Sequence, residues 1–308
     1  MDRNENDKQP DLQHWENADT DSGLYTDEES AQLNMAGIFS NRFSNIHLLY
    51  RSPNGATEIH AATRYGKLFV LKGLASEYRD DPIYNICMAK EFEIGITLDH
   101  PNIRRTIGFE DIDCLGKRIV LEYIDGVTLA DEMAEGKLTP ERAMSIALQI
   151  AATLRYLHSK QICHRDLKPE NILLPHQGDT VKIIDFNLSD RDDYIVLKKP
   201  AGSKRYMAPE LADPESAPTP ETDYYSLGVV MRELAEASGD RRLELAALLC
   251  TDPDPRKRKE GIILLETGNH PQEYVSLPER ILSSKALTYI LSAICLLLSV
   301  FITIHYIN

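Results

Sequence analysis

The sequence predicts an α+β chain in which a strand-rich first part precedes a helical second part, with one further apolar helix near the C-terminus. Short β-like runs separated by turn residues occupy the chain between about residues 46 and 123. After Gly126 the apolar residues recur with helical periodicity. Strands followed by helices are typical of the α+β class, in which the two kinds of element are segregated.

The N-terminal segment carries much of the acidic charge. Residues 1–36 hold ten Asp or Glu against two Lys or Arg, within a formal net charge of −14 for the chain. We therefore expect residues 1–43 to form an acidic, disordered tail; the alternative is a docking or self-phosphorylated tail. The negative charge also excludes nucleic acid as the main partner, because phosphate backbones attract basic surfaces.

Five β-like runs and one helical segment are predicted in the first part of the domain. Pro, Asn and Gly between the first runs are typical of turns. The predicted strands are Ile46–Arg51, Thr57–Thr63, Lys67–Lys72, Thr106–Asp111 and Arg118–Tyr123, and the predicted helix is Pro82–Leu98.

The second part is predicted to be helical. Thr139 followed by Pro140 is typical of a helix start, since Thr caps the first turn and Pro fits the first helical position. Asp223–Ala237 is a second predicted helix. One apolar face of the helix after Pro140 is formed by Ala143, Ile146, Ala147, Ile150, Ala151, Leu154 and Leu157.

One stretch carries the strongest chemical signal. The residues His164-Arg165-Asp166-Leu167-Lys168-Pro169-Glu170-Asn171 are followed by a short apolar run that ends in Asp185-Phe186-Asn187. The eight-residue string closely resembles the catalytic loop of protein kinases. The resemblance extends over about 220 residues and implies the bilobal protein kinase fold for residues 44–266, with a small β-rich N-lobe and a helical C-lobe.

The resemblance implies roles for the polar residues of this stretch. Asp166 is expected to accept the proton of a substrate hydroxyl, and Lys168 to neutralise the transferring phosphoryl group. Asn171 and Asp185 are expected to hold Mg²⁺ against the phosphates of ATP. Because Lys168 is typical of serine/threonine-specific members, the expected substrates are Ser and Thr hydroxyls of proteins.

Lys72 resembles the family's third-strand lysine, which binds the α- and β-phosphates. Its expected ion-pair partner lies on the following helix, where Glu91 and Glu93 compete. Two residues apart on a helix face about 200° away from each other, so only one of them can reach Lys72. Glu91 is favoured because it stands nine residues before His100-Pro101-Asn102-Ile103, which resembles the family's link to strand four.

The adenine and phosphate contacts are less regular. Leu121-Glu122-Tyr123-Ile124 resembles the hinge, where backbone groups of Glu122 and Ile124 would bind the adenine edge. The family's glycine-rich loop falls on residues 52–59, where all three glycines are replaced. Weakened ATP binding and normal binding by a rearranged turn both remain open. The expected phosphate contacts are Ser52, Asn54, Gly55 and Ile59.

Other positions match or depart from the family in supporting roles. Glu210 is expected to pair with Arg258, and Asp223 to fix the catalytic loop from beneath. Gly95 stands where the family places a bulky apolar residue, so we expect the helix that carries Glu91 to be mobile. Asn187 replaces the glycine after Asp185-Phe186, and Ser203 resembles a residue of the substrate-binding segment.

The C-terminal apolar stretch predicts a membrane anchor. Ala286–Ile304 contains nineteen residues without a charge, about 28 Å as a helix and close to the thickness of a bilayer. Only four residues follow it, so we expect a single-pass tail anchor over residues 286–306, after a juxtamembrane linker at 267–285. The five cysteines show no paired spacing, which favours a cytoplasmic kinase domain.

Two functions from different classes follow from these features. The first is an active, membrane-tethered serine/threonine protein kinase using ATP and Mg²⁺. The alternative is a membrane-anchored pseudokinase scaffold, which the replaced glycines and Gly95 favour. Kinases of small molecules are a third, weaker alternative.

Overall fold

The computed structural model describes residues 41–186, 190–191, 204–213 and 215–268 of the chain. The acidic segment up to residue 40 and residues 269–308, including the predicted anchor, lie outside the described residues. So do Asn187 and Ser203. Within the described ranges, no helix is both long enough and apolar enough to cross a membrane.

A five-stranded antiparallel sheet forms the N-lobe. Its strands are β1 (Ser44–Arg51), β2 (Thr57–Arg64), β3 (Lys67–Leu74), β4 (Thr106–Ile112) and β5 (Gly116–Glu122). Their order in the sheet is β1-β2-β3-β5-β4. All five predicted strands are therefore present, and each has bounds within two residues of the prediction. Phe43, assigned to the tail from the sequence, instead packs edge-on against Phe69.

Helix α1 (Pro82–Gly95) packs against one face of this sheet. The Asp81 carboxylate caps it by accepting the backbone N–H groups of Ile83 and Tyr84. The helix ends three residues before the predicted Leu98. Because side chains alternate along a strand, Val70 and Leu74 point with Lys72 toward α1, where they meet Met88.

The C-lobe is mainly helical, as predicted. Its helices are α2 (Leu129–Ala134), α3 (Pro140–Ser159), α4 (Pro220–Ser238), α5 (Arg241–Cys250) and α6 (Arg258–Thr267). Its short strands are β6 (Gly126–Thr128), β7 (Ile162–Cys163), β8 (Ile172–Pro175), β9 (Lys182–Ile183) and β10 (Asp190–Arg191). The Thr139 hydroxyl caps α3, and the seven residues of its predicted apolar face are fully buried.

Helix α4 lies at the centre of the C-lobe core. Its Leu227, Val230 and Met231 are fully buried, and α5 packs closely against it. A Cβ added at Gly228 would lie 2.8 Å from the Cβ of Cys250, so glycine is needed for this approach. The rigid packing of α4 matters for the site, because Asp223 lies in its first turn.

The two lobes meet along a short backbone contact as well as at the connection that follows β5. Ile103 pairs with Ile183 of β9 in a parallel bridge. The N–H of Arg104 donates to Ile183 O at 3.1 Å, and the N–H of Ile183 donates to Asn102 O at 2.7 Å. The segment that leads into β4 is thereby fixed to the strand that precedes Asp185.

Candidate active site

The loop between β7 and β8 brings three of the predicted site residues together. Lys168 Nζ donates to Asp166 Oδ2 at 2.9 Å. Asn171 Nδ2 donates to the same oxygen at 3.0 Å and to Asp166 O at 2.8 Å. Burial alone would lower the pKa of Lys168, but the hydrogen bond and charge of Asp166 raise it above its usual value. Lys168 is therefore a fixed positive charge beside the Asp166 carboxylate.

Asp223 supports this loop from beneath and is fully buried. Its carboxylate accepts the backbone N–H groups of His164 and Arg165, both at 2.9 Å. His158 Nε2 lies 2.8 Å from Asp223 Oδ2. Burial alone would raise the pKa of Asp223, but the contacts with His158 and the backbone outweigh it and lower that pKa. The position of Asp166 is thus determined by main-chain bonds to a core helix.

Two residues of the site, Arg165 and Asp185, adopt backbone conformations in the left-handed region. Arg165 has φ of 69° and Asp185 has φ of 68°, which few residues other than glycine adopt without strain. Such strain persists where surrounding structure holds it. Here the ring of His164 meets that of Phe186 edge-on, with centroids 5.2 Å apart. The catalytic loop and the Asp185 segment therefore pack directly on each other.

The buried Lys72 and Glu91 and the partly exposed Asp185 form an ion cluster on the N-lobe side. Lys72 Nζ donates to Glu91 Oε1 at 2.6 Å and to Asp185 Oδ1 at 2.8 Å. Glu93 is exposed, so Glu91 is the helix residue that pairs with Lys72. Burial alone would lower the pKa of Lys72, but Asp185 and Glu91 outweigh it and raise that pKa. The ammonium group therefore stays charged at neutral pH.

Asn171 and Asp185 have suitable chemistry for a magnesium ion. Mg²⁺ prefers carboxylate and carbonyl oxygens. The hydrogen bond from Ile184 N to Asn171 O, 3.0 Å long, places the two residues side by side. Both hydrogen bonds of the Asn171 side chain use its nitrogen. Its side-chain oxygen accepts no hydrogen bond from any residue that the structure describes, and it fits a ligand role.

The hinge positions lie at the end of β5. The N–H of Glu122 donates to Arg105 O at 2.9 Å, so this N–H cannot also bind adenine. The expected adenine contact of Glu122 would therefore use its backbone carbonyl group. The Glu122 carboxylate accepts from Lys182 of β9 at 3.2 Å, which adds an ion pair between the lobes. Ile124 lies half-buried in the connection to β6.

The loop that replaces the glycine-rich motif bonds mainly to itself. Asn54 Oδ1 accepts from Ser52 Oγ at 2.7 Å and from Ala56 N at 3.1 Å. Ser52 Oγ accepts from Thr57 N at 2.9 Å, and Gly55 N donates to Ser52 O at 2.7 Å. Ser and Asn side chains compete for nearby backbone groups in this way. In this conformation these three amides are not directed at a phosphate.

Two further positions singled out from the sequence are Ile59 and Gly95. Ile59 pairs with Lys72 across β2 and β3, so its side chain lies on the same face of the sheet. Gly95 contacts β4 closely: a Cβ there would lie 2.3 Å from Thr106 Oγ1. The expected mobility of α1 stays a prediction; β4 comes close enough at Gly95 that a Cβ there would clash with Thr106.

Arg258 and Glu210 form an ion pair in the C-lobe. Arg258 is fully buried, and its Nη1 and Nη2 donate to Glu210 Oε1 at 2.6 Å and Oε2 at 2.8 Å. Arg258 Nε also donates to Asp252 O at 2.9 Å. The pKa of Glu210 is lowered, since Arg258 outweighs the effect of burial. Glu210 is thereby held against the helices beneath the catalytic loop.

Sequence reasoning missed three charged or polar contributors. His158 supports Asp223, Lys182 pairs with Glu122, and Arg104 is buried beside Glu91 and Asp185. The available signal for Arg104 was a charged residue directly after the apolar Ile103 and before a strand. Nothing local indicated which buried groups it would face.

Comparisons with known proteins show which family this chain is similar to. The family described as protein kinase domain matches residues 55–239. Serine/threonine-protein kinase ppk25 of Schizosaccharomyces pombe is 42% identical over 150 residues, which are 46% of this chain and 34% of the relative. PrkC of Bacillus subtilis is 34% identical over 168 residues, 53% of this chain and 26% of the relative.

A third relative covers more of the chain. Serine/threonine-protein kinase PknB of Mycobacterium tuberculosis is 30% identical over 225 residues, which are 68% of this chain and 36% of the relative. The chain thus spans about a third or less of the length of the curated relatives it matches first.

Proposed function

The chain belongs to the protein kinase family, and on that premise we propose that it transfers the γ-phosphoryl group of ATP to Ser or Thr hydroxyls of proteins. One observation carries the proposal: the Lys72–Glu91–Asp185 cluster and the Asp166–Lys168–Asn171 cluster face one cleft with their partners in place. The similarity to three serine/threonine-protein kinases supports the choice of acceptor.

Each residue of the cleft has a defined task in this reaction. Lys72, oriented by Glu91, binds the α- and β-phosphates. Asp166 orients the acceptor hydroxyl and takes its proton, a role that requires a carboxylate within hydrogen-bond reach. Lys168 places a positive charge beside the acceptor, where charge on the transferring group is balanced.

Asn171 and Asp185 would hold Mg²⁺ against the nucleotide. When bound, the ion neutralises phosphate charge and fixes the geometry of the phosphates. To serve it, Asp185 must exchange part of its bond with Lys72, which is then available to the phosphates. The adenine edge would contact the backbone at Glu122 and Ile124.

The test is transfer of labelled γ-phosphate from Mg-ATP to casein by the full chain. Asp166→Ala should lower the rate by at least about 10²-fold, since a positioned general base contributes that much or more. Asp179→Ala is the matched control, because Asp179 is an exposed carboxylate of the same lobe. Equal rates for wild type and Asp166→Ala would refute the role of Asp166.

A second measurement separates the kinase from the scaffold alternative. Thermal unfolding of the full chain is followed with and without Mg-ATP. A stabilised protein that transfers no phosphate contradicts catalysis and supports the scaffold. A protein that is neither stabilised nor active contradicts the nucleotide site itself.

We further propose that residues 286–306 attach the protein to a membrane with the kinase domain in the cytoplasm. The support is the uncharged run Ala286–Ile304, with Arg280 and Lys285 before it.

Leu297→Arg in the full chain should shift the protein from the carbonate-resistant membrane fraction to the supernatant, because a central charge opposes insertion. Ser284→Arg, outside the run, is the control. Retention of Leu297→Arg in the membrane fraction would contradict the proposal.

A further inference from the structure

Arg104 is a buried arginine whose base is rigidly held. Its backbone N–H donates to Ile183 O at 3.1 Å, and the preceding Ile103 pairs with the same residue. Asn102 Nδ2 adds a hydrogen bond to Val181 O at 3.0 Å. The backbone of Arg104, from which its side chain extends, is therefore held in place where the two lobes meet. Only 9% of the residue is exposed.

The guanidinium group of Arg104 lies among the charges of the active site. Within the described part of the chain, no carboxylate comes within ion-pair distance of it; Glu91 and Asp185 line the same small cavity, and Glu122 is a third acidic group whose charge reaches it. Burial lowers the pKa of Arg104, and those three carboxylates oppose this effect. With Arg104 included, the cluster holds two cations and two anions, since Lys72 faces Glu91 and Asp185.

The surroundings of Arg104 also lack large apolar side chains from α1 and the start of β4. Gly95 and Thr106 touch there, with 2.3 Å between Thr106 Oγ1 and a Cβ added at Gly95. A small cavity of about 10 Å³ remains beside them, large enough for at most one water molecule. Its lining includes Glu91, Arg104, Thr106 and Asp185.

We propose that Arg104 is a positioning residue: its positive charge, acting through Glu91, holds helix α1 in the orientation that pairs Glu91 with Lys72. Phe92 of α1 and Phe109 of β4 also pack together, with ring centroids 5.3 Å apart, and the charge of Arg104 acts in addition to this apolar contact. A buried cation without a bonded partner is unfavourable unless nearby carboxylates compensate it. The same attraction draws Glu91 toward the cleft. The inference rests on the proposed function, because it concerns the same site.

A role through charge makes a specific prediction about pH. The charged groups that face Glu91 are Lys72 from β3, Arg104 from the segment before β4, and Asp185 after β9. Burial raises the pKa of Glu91, and Lys72 and Arg104 oppose this effect. Removing the charge of Arg104 raises the pKa of Glu91 further. The acidic limb of the pH profile of kcat/KM should then move to higher pH.

The experiment compares Arg104→Met, Arg104→Gln and Arg104→Lys in the full chain. Arg104→Met keeps an unbranched, flexible side chain and removes its charge, so the rate of transfer to casein should fall about tenfold or more. Arg104→Gln should behave in the same way and serves if the methionine variant does not fold. Arg104→Lys keeps the charge and should retain most of the activity. Arg105→Met, the exposed neighbour, is the matched control.

Hydrogen exchange of residues 82–95 in the nucleotide-free full chain gives a readout that does not depend on activity. The neutral variants should exchange faster than wild type in α1, and Arg104→Lys should not. An Arg104→Met protein with wild-type rate, pH profile and exchange would overturn the inference while leaving the kinase proposal intact. If wild type transfers no phosphate, the kinase proposal fails, and exchange in α1 alone decides the role of Arg104.

Discussion

Asp223 and Glu91 are both buried carboxylates that position catalytic groups, but the two lobes stabilise them differently. Asp223 accepts two backbone N–H groups and lies beside His158, all presented by packed elements of the C-lobe. Glu91 is bonded to the end of one long side chain, that of Lys72. A carboxylate held by main chain has few alternatives, whereas one held by a flexible side chain can exchange partners.

Because of this difference, we expect substitutions in the two networks to have different effects, on stability in the C-lobe and on activity in the N-lobe. The C-lobe network joins core elements, so substitutions in it should lower the free energy of unfolding. The N-lobe cluster joins side chains across the cleft, so substitutions there should lower activity and leave the fold largely intact. The four predictions below test this contrast.

Lys72→Met should show the largest effect, mainly on activity. Loss of the charge that binds the phosphates should reduce phosphoryl transfer on the order of 10³-fold, about 4 kcal/mol. The free energy of unfolding, measured in urea, should fall by about 1–2 kcal/mol, less than for Arg258→Met, because Asp185 is partly exposed and Arg104 remains near Glu91. Lys67→Met, exposed on the same strand, is the control. A Lys72→Met protein that is unfolded at neutral pH would contradict the expected difference between the two lobes.

Arg258→Met should show the largest loss of stability. Removing one partner of a buried ion pair leaves the Glu210 charge uncompensated, which costs about 3–4 kcal/mol in the free energy of unfolding. Arg256→Met is a close control, because Arg256 also bonds a carboxylate, that of Asp254, but on the exposed surface. Equal unfolding midpoints for the two variants would contradict the importance of burial here.

Asp223→Asn should be about 2 kcal/mol less stable than wild type at pH 7, since one charged acceptor is lost from a buried network. The pKa of Asp223 is lowered in the folded protein. Its stabilising contribution is therefore present above the unfolded value of about 4 and is lost as pH falls through the lower folded value. Wild type should lose more stability than the variant on acidification below pH of about 4.

Urea unfolding at several pH values between neutral and acidic checks this sign. Asp179→Asn, which alters an exposed carboxylate, should follow the wild-type curve. An Asp223→Asn protein with the same acid dependence as wild type would mean that Asp223 does not carry the linkage.

Asn54→Ala should show the smallest effect. It removes one acceptor of two hydrogen bonds in an exposed loop, so the free energy of unfolding should fall by about 0.5–1 kcal/mol. Pro53→Ala, exposed in the same loop, is the control. A loss as large as that of Arg258→Met would show that this loop belongs to the folding core.

Much of the fold was predictable because its signals are local. Short β-like runs between turn residues indicated the five strands, and the Thr139-Pro140 start with its apolar face indicated α3. The catalytic loop was predictable for another reason, since Asp166, Lys168 and Asn171 lie within six consecutive residues. Their mutual distances are limited by the backbone itself.

The sequence alone therefore determined the chemistry available to this protein: which acids, amides and cations occur, and in what order. Only the tertiary structure decided which of them meet. The self-bonded loop at Ser52–Thr57, the contact of Gly95 with Thr106 and the burial of Arg104 beside Glu91 depend on how separate elements pack. Distances across such contacts are set by the whole fold, and no spacing along the chain encodes them.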